Sequence, residues 1–207
     1  MNKKEKFWNR IAKNYDSQIN EDDRAAIKIV ENTKKYLRKS DVVLDYACAT
    51  GKFTYEFAFL VKEIHGIDIS PDMIAVAKRN AGEHNIEHVH FTQATIFDKR
   101  YEMESFNVIL AFNILHLLEE PQQAVQRINQ LLNPGGFFIS ATTCMAKDRS
   151  FLRIILWSLS KIGILPYLYF FHPFEIEHIL THGGFEIVET ETISPSPPNY
   201  FIVARKI

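Results

Sequence analysis

The feature that most constrains the fold is a short apolar strand that runs directly into an acidic residue and a turn of small residues. The strand covers residues 42–46, and the turn reads Asp45-Tyr46-Ala47-Cys48-Ala49-Thr50-Gly51. A second strand at residues 63–68 also ends in an acid, Asp68. A buried strand, a small-residue turn, a helix and a second strand ending in Asp form half of a βαβ unit that binds nucleosides. In such a unit the second acid accepts hydrogen bonds from the ribose hydroxyls.

Strands and helices alternate along the rest of the chain. Further strands are predicted at residues 89–93, 106–111, 137–141, 185–192 and 200–206, and helices at about 7–20, 25–37, 51–59, 71–81, 121–132 and 173–181. The link between the last two strands is too short for a helical crossover, so we expect that pair to be antiparallel. The pattern predicts an α/β fold: a Rossmann-like, doubly wound sheet of seven mostly parallel strands with an antiparallel last strand and helices on both faces.

Length, charge and cysteine content limit the function classes. The 207 residues suffice for one domain with a substantial core. The 24 basic and 25 acidic residues nearly cancel, so no nucleic-acid partner is expected. The two cysteines, Cys48 and Cys144, match neither zinc nor redox spacing, and no other cluster predicts a metal. The N-terminus is charged rather than an apolar signal-peptide core, which favours a reduced, cytoplasmic chain.

Four motifs, in order, make the chain resemble class I S-adenosylmethionine-dependent methyltransferases of the small-molecule type. The matching segments are residues 45–51, similar to the acid-x-Gly-x-Gly-x-Gly motif of the family, 66–73 (Gly-Ile-Asp-Ile-Ser-Pro-Asp-Met), 131–136 (Leu-Leu-Asn-Pro-Gly-Gly), and 183–185 with 201–206. The resemblance covers nearly everything from Phe7 to Ile207. It implies one methyltransferase-like domain over residues 1–207, with an N-terminal helical arm at 1–38 and an apolar helical insertion or lid at 145–172.

The resemblance also implies S-adenosylmethionine as cofactor and S-adenosylhomocysteine as its product. Backbone N–H groups of the turn would hold the methionine part, Asp45 would orient its ammonium, and Asp68 would accept the ribose hydroxyls. The implied cofactor contacts are Tyr15, Asp45, Ala47, Ala49, Gly51, Asp68, Ile69, Met73, Thr95, Ile96, Ala111 and Phe112. Plainer roles remain open for several of them: Ile69 and Met73 could be core residues, Thr95 a turn residue, and Tyr15 an anchor of the arm.

The spacing within the turn separates two kinds of nucleotide site. A dinucleotide site needs glycines at positions i, i+2 and i+5, where this chain has Ala47, Ala49 and Lys52. Lys52 would disturb the close helix–strand packing of such a site, whereas Gly51, at i+4, has the spacing of a methyltransferase. The two alanines depart from the family pattern. If either needs a positive φ angle, alanine costs on the order of 1 kcal/mol there.

Two features concern the acceptor of the methyl group. His116 follows strand four and is a candidate general base for a hydroxyl nucleophile, or else a histidine packed among its leucine neighbours. Residues 150–171 are strongly apolar and aromatic. They could form a lid over a hydrophobic substrate, a helix docked on the core, or a contact with a membrane surface or a second subunit. Arg153, Lys161 and Pro166 interrupt the segment and argue against a transmembrane span.

These observations predict methyl transfer from S-adenosylmethionine to a small, hydrophobic or aromatic acceptor by in-line displacement. One alternative is a non-catalytic S-adenosylmethionine-binding module that retains the fold, which the residues Ala47, Ala49 and Thr95 suggest. Another is an oxidoreductase that uses a dinucleotide, against which Lys52 counts. The sequence leaves both a monomer and a homodimer open.

Overall fold

The computed structural model describes residues 3–16, 24–83, 86–146, 155–156, 158–160, 162, 164–195 and 198–207. The strands are β1 (Val42–Tyr46), β2 (Glu63–Asp68), β3 (Val89–Gln93), β4 (Phe106–Phe112), β5 (Leu132–Thr143), β6 (Phe185–Pro195) and β7 (Pro198–Lys206). The helices are α1 (Lys3–Ala12), α2 (Arg24–Lys34), α3 (Lys52–Ala58), α4 (Pro71–Glu83), α5 (Pro121–Leu131) and α6 (Pro173–His182). A short 3-10 turn at Leu115–Leu117 follows β4.

The seven strands form one sheet in the order β3-β2-β1-β4-β5-β7-β6. Strands β1 to β5 pair in parallel. Strand β7 lies between β5 and β6 and is antiparallel to both, so β6 runs in the same direction as the first five strands. The predicted doubly wound sheet and its antiparallel last strand are therefore confirmed. The short link after β6 explains the arrangement, because it can make only a hairpin.

Each face of the sheet is covered by helices. Val43 and Leu44 are neighbours in β1 and therefore point to opposite faces, yet both are fully buried. Val43 packs in a cluster that includes side chains of α2, α3 and α4, and Leu44 packs in a cluster with side chains of α5 and α6. The chain thus leaves β1 toward one face and β4 toward the other. This divergence opens a crevice at the carboxyl ends of these adjacent strands.

The first helix lies earlier in the chain than its pattern predicted. Helix α1 begins at Lys3 and ends at Ala12, whereas the apolar spacing predicted a helix over about residues 7–20. Tight turns end the helix, since the Tyr15 N–H donates to the Ala12 carbonyl at 3.3 Å. The last part of the predicted helix, residues 17–20, lies outside the described residues.

Strand β5 begins before the predicted turn. Phe106 pairs with Leu132 and Val108 with Phe137, so residues 133–136 form a bulge within β5. Gly135 in that bulge has a φ angle of 74°, a left-handed conformation that glycine adopts readily. The Asn-Pro-Gly-Gly sequence therefore bends the strand after α5 without ending its pairing with β4.

The predicted lid at residues 145–172 lies only partly within the described chain, because residues 147–154, 157, 161 and 163 fall outside it. Its two ends are docked: the Ala146 N–H donates to the carbonyl of buried Phe171 at 3.2 Å. The Tyr169 N–H donates to the His116 carbonyl at 2.7 Å. In the part of the chain that is described, no helix is both long and apolar enough to cross a membrane.

Candidate functional site

A cavity lies at the crevice between the carboxyl ends of β1 and β4, where ligands bind in open α/β sheets. Its wall comes from the arm, α2, the turn after β1, the start of α3 and the end of β4. The lining residues are Tyr15, Ala26, Asp45, Ala47, Cys48, Ala49, Thr50, Lys52, Phe53, Phe112 and Asn113. Five of the predicted cofactor contacts are among them: Tyr15, Asp45, Ala47, Ala49 and Phe112.

Strained backbone concentrates at this cavity. Ala47, Ala49 and Asn113 have φ angles of 61°, 49° and 55°, and the only other non-glycine residue with positive φ in the described chain is Glu104. The left-handed region costs an alanine on the order of 1 kcal/mol. Such strain persists where the surrounding structure enforces it, commonly at functional sites. Both alanines therefore have a positive φ angle, and each bears the conformational strain that the sequence made conditional on such an angle.

Gly51 closes the turn and allows α3 to start close to the sheet. Its φ angle is 83°, and its N–H donates to the Cys48 carbonyl at 2.9 Å. A Cβ atom at this position would lie 2.7 Å from Cζ of Phe91 and 2.8 Å from the hydroxyl oxygen of Tyr55. Conformation and space both require glycine here, which explains why this glycine is present although the first two are replaced.

Asp68 ties the end of β2 to the turn after β1. Its Oδ2 accepts a hydrogen bond from the Ala49 N–H at 3.2 Å, and its Oδ1 accepts one from the Ser70 N–H at 2.8 Å. Burial raises the pKa of this carboxyl group, and the backbone hydrogen bonds oppose that rise. A carboxylate has about four acceptor sites, so acceptor capacity remains for a donor such as a ribose hydroxyl.

Asp45 is buried at the end of β1 and lines the cavity. Burial raises its pKa to about 7; a hydrogen bond from Thr54 lowers the pKa, and the charge of Asp68 raises it. The Thr54 hydroxyl donates to Oδ2 of Asp45 at 2.5 Å, the one side-chain hydrogen bond that Asp45 makes within the described chain. A buried carboxylate with so few donors fits a ligand ammonium, which would stabilise its charged form.

The other predicted contacts lie outside the cavity wall. Gly51 and Asp68 adjoin it through the turn. Met73, Ile96 and Ala111 are almost completely buried, as core residues are. Ile69 is half-buried, and Thr95 is exposed. The Thr95 hydroxyl accepts a hydrogen bond from the Phe97 N–H at 3.3 Å, so its observed role is to stabilise a turn.

His116 lies in the 3-10 turn after β4 and does not line the cavity. Its Nδ1 atom is buried without a hydrogen-bond partner in the described chain. Burial lowers the pKa of the ring to about 4, so the imidazole is neutral near pH 7. A neutral imidazole can accept a proton, but with this pKa it is a weak base.

The structure adds residues that the sequence did not single out as cofactor contacts. The Phe53 and Phe112 rings meet with centroids 4.9 Å apart and form an aromatic part of the wall. The Thr50 hydroxyl donates to Oδ1 of Asp16 at 2.5 Å, which docks the arm onto the turn. Local spacing gives no signal for a contact across 34 residues. Asn113 follows β4, lines the cavity and holds the left-handed conformation that asparagine tolerates better than most residues.

Comparisons with known proteins agree with this geometry. Residues 37–161 match a family described as a methyltransferase domain. The ubiquinone biosynthesis O-methyltransferase of Coxiella burnetii is 25% identical over 177 residues, which cover 82% of this chain and 74% of that protein. Two solved structures share the fold. An S-adenosylmethionine-dependent methyltransferase from Aquifex aeolicus has a TM-score of 0.74 at 12% identity, and the match covers 95% of this chain and 98% of the Aquifex protein. The [4+2]-cyclase SpnF has a TM-score of 0.71 at 18% identity, and the match covers 86% of this chain and 80% of the cyclase. Since the family match spans more than half of the sequence, the chain belongs to the methyltransferase domain family and is a class I S-adenosylmethionine-dependent methyltransferase.

Proposed function

We propose that this enzyme transfers the methyl group of S-adenosylmethionine to a hydroxyl oxygen of a small aromatic or otherwise apolar acceptor. The observation that carries this proposal is the composition of the cavity wall. Acidic Asp45, the strained turn and the paired rings of Phe53 and Phe112 all line this one cavity. The name of the Coxiella relative supports transfer to oxygen.

The chain offers specific groups to the cofactor. Asp45 faces the cavity and would pair with the cofactor ammonium, while the free acceptor sites of Asp68 would receive the ribose hydroxyls. The N–H groups of Ala49 and Gly51 already donate to Asp68 and Cys48. Within the described residues, the N–H groups of Ala47 and Thr50 have no such partner. We therefore assign contacts with the methionine carboxylate to these two N–H groups.

Methyl transfer requires the protein mainly to place the two reactants in the correct geometry. When bound, the cofactor supplies a methyl group already activated by its sulfonium sulfur. The apolar wall and the docked arm would hold the acceptor in line and exclude water from the reacting atoms. The role of His116 as the base that takes the hydroxyl proton stays a prediction. Replacement of His116 by Asn should lower kcat without changing cofactor affinity if that role is correct.

Calorimetry with S-adenosylmethionine and S-adenosylhomocysteine, followed by a methyl-transfer assay with catechol, tests the proposed function. We expect both nucleosides to bind, and Asp68→Asn to weaken binding about tenfold or more through loss of a charge-assisted hydrogen bond. Absence of binding at millimolar concentration, with Asp68→Asn indistinguishable from the wild type, would overturn the proposed cofactor site.

Family membership favours the catalytic function over the two alternatives from the sequence. One observation still supports the non-catalytic binding module: alanine, not glycine, lines the cavity at positions 47 and 49. A [4+2]-cyclase also has this fold, so the fold is compatible with chemistry other than methyl transfer. A ligand retained through purification, together with no methyl transfer to a broad panel of phenols, alcohols and amines, would favour that alternative.

A further inference from the structure

A second depression adjoins the proposed cofactor cavity, between helices α2 and α3. Ile27 and Val30 of α2 form part of its apolar lining. Three residues, Ala26, Lys52 and Phe53, line both this groove and the cavity, so they mark the junction of the two. The groove does not include Asp45 or the strained turn. A molecule that occupies the junction from the groove side therefore meets Lys52 and Phe53 where neither Asp45 nor the strained turn lines the wall.

The charges around the junction are unevenly paired. Lys34 in the groove forms an ion pair with Glu56 at 3.4 Å. The ammonium of Lys52 makes neither a hydrogen bond nor an ion pair with any residue that the structure describes, although its side chain is half-buried. The remaining acid of the groove, Glu31, is exposed to solvent. The junction thus presents one unsatisfied positive charge beside apolar walls.

Such a charge attracts an anion more strongly than a lysine in open water does. Apolar walls exclude solvent and lower the effective dielectric constant, which strengthens a charge pair at the same distance. Beside Lys52, the half-buried Phe53 ring packs against Phe112 and supplies an aromatic contact for a planar ring. An acidic group and an aromatic ring on one small molecule would satisfy both features at once.

We propose that the acceptor is a hydroxyaromatic acid, and that Lys52 is the residue that recognises its acidic group. This inference rests on the proposed function and names the class of acceptor more narrowly. The ring lies against Phe53 and Phe112, the reacting hydroxyl points into the cofactor cavity, and the carboxylate pairs with the Lys52 ammonium. Lys52 is a specificity residue in this arrangement and takes no part in the bond-making step.

Two probe acceptors that differ by one carboxylate test the inference: catechol and 3,4-dihydroxybenzoate. The measured quantity is the ratio of kcat/KM for the acid to kcat/KM for catechol. We expect the wild type to favour the acid, mainly through KM, and Lys52→Gln to lower the ratio about tenfold, as loss of a partly shielded charge pair does. Lys52→Arg should restore part of it. Lys34→Gln is the matched control, because it removes a paired lysine from the same groove and should leave the ratio unchanged.

Each other outcome has a definite meaning. An equal ratio in the wild type and Lys52→Gln overturns the role of Lys52 and leaves methyl transfer to aromatic hydroxyls intact. If Lys52 pairs instead with the carboxylate of the cofactor, Lys52→Gln will weaken S-adenosylhomocysteine binding in calorimetry and slow both acceptors equally, which also overturns the inference. If S-adenosylhomocysteine binds but neither probe binds the complex or is methylated, the proposed acceptor class fails, and the inference fails with it.

Discussion

At the scale of single residues, the turn after β1 stores strain where the family pattern has glycine. Ala47 and Ala49 both hold left-handed backbone conformations, and both residues line the cavity. The strain persists because hydrogen bonds tie the turn to the end of β2. The Cys48 N–H donates to the Ile67 carbonyl at 3.0 Å, and the Ala49 N–H donates to Asp68. The turn is therefore shaped by its neighbours against the preference of its own residues.

Replacement of either alanine by glycine should stabilise the fold. We expect Ala47→Gly and Ala49→Gly each to raise the free energy of unfolding by about 0.5–1 kcal/mol, since relief of the left-handed strain exceeds the added entropy of the unfolded chain. Urea unfolding, read as a higher midpoint at unchanged slope, measures this. Glu104→Gly is the control for the cavity: its φ angle is 53° but it does not line the cavity, so it should leave S-adenosylhomocysteine affinity unchanged, while loss of its ion pair with Lys206 offsets part of the gain in stability. A loss of stability in both alanine variants would contradict the strain assignment.

Asp45 should make stability depend on pH in an unusual direction. Burial raises its pKa to about 7 in the folded protein, far above the ordinary value of 3.8. Between these values the folded state holds a proton that the unfolded chain has lost, so the contribution of Asp45 to stability falls as pH rises through this window. Asp45→Asn cannot titrate. Relative to the wild type it should gain up to about 1.4 kcal/mol per pH unit between about pH 5 and 7.

Urea unfolding of both proteins at several pH values measures that gain. The difference between Asp45→Asn and the wild type should stop changing at a pH well above 7, where the folded carboxyl group is already ionised. A difference that stays constant across the whole range would show that the Asp45 pKa is ordinary.

At the scale of elements, the N-terminal arm is held by side-chain contacts with the loops that follow β1 and β2. The Ser70 hydroxyl, after β2, donates to Oδ1 of Asn9 in α1 at 2.6 Å. The Thr50 hydroxyl, after β1, donates to Asp16 at 2.5 Å. Between these two anchors, Tyr15 lines the cavity, and burial raises the pKa of its phenol. The arm therefore contributes to the cavity wall through Tyr15 and is fixed to the turn after β1 and to the loop after β2.

Removal of the arm should speed the loss of cofactor more than it disturbs the sheet. We expect a variant lacking residues 1–16 to release S-adenosylhomocysteine at least about tenfold faster, because affinity changes appear chiefly in the dissociation rate. Stopped-flow displacement measures the rate, and far-ultraviolet circular dichroism checks the fold. Thr50→Val, which removes one anchor, should give a smaller effect in the same direction. An unchanged rate in the truncated protein would show that the arm does not cover the bound cofactor.

At the scale of the whole molecule, cofactor binding should stabilise the fold as a unit. A ligand that binds only the folded state at about 100 times its Kd adds about 2.7 kcal/mol to the free energy of unfolding. S-adenosylhomocysteine should accordingly raise Tm by several degrees in a thermal unfolding experiment. NADH at the same concentration should produce no rise, because Lys52 occupies the position where a dinucleotide site needs glycine. If Tm rose with NADH and not with S-adenosylhomocysteine, the site would be one for a dinucleotide.

The architecture could be predicted from the sequence because local signals agreed with one another. Apolar runs marked the strands, and the short link before Pro198 predicted the antiparallel pair that places β7 beside β5. The same strand pattern predicted Asp45 and Phe112 as site residues, because both lie at the carboxyl ends of strands that meet at the switch point. Both line the cavity. Contact of these residues with the cofactor itself stays a prediction.

Features that depend on distant contacts could not be predicted. Nothing local to Phe53 indicates that its ring meets Phe112, and the hydrogen bond between Thr50 and Asp16 depends on where the arm docks. The predicted end of the first helix was wrong for the same reason, because a periodic apolar pattern continues past the point where tertiary contacts turn the chain. Thr95 was predicted from a motif position, yet its hydroxyl serves a turn.

The central position of β7 has a consequence for synthesis on the ribosome. Strand β6 is made first, but among the described strands it pairs only with β7, which also completes the pairing of β5. Until β7 has left the exit tunnel, the growing chain exposes one open strand edge on β5 and an unpaired β6. Both are surfaces to which other unfinished chains can attach. The interval between making β6 and β7 is therefore when a chaperone would protect this protein most.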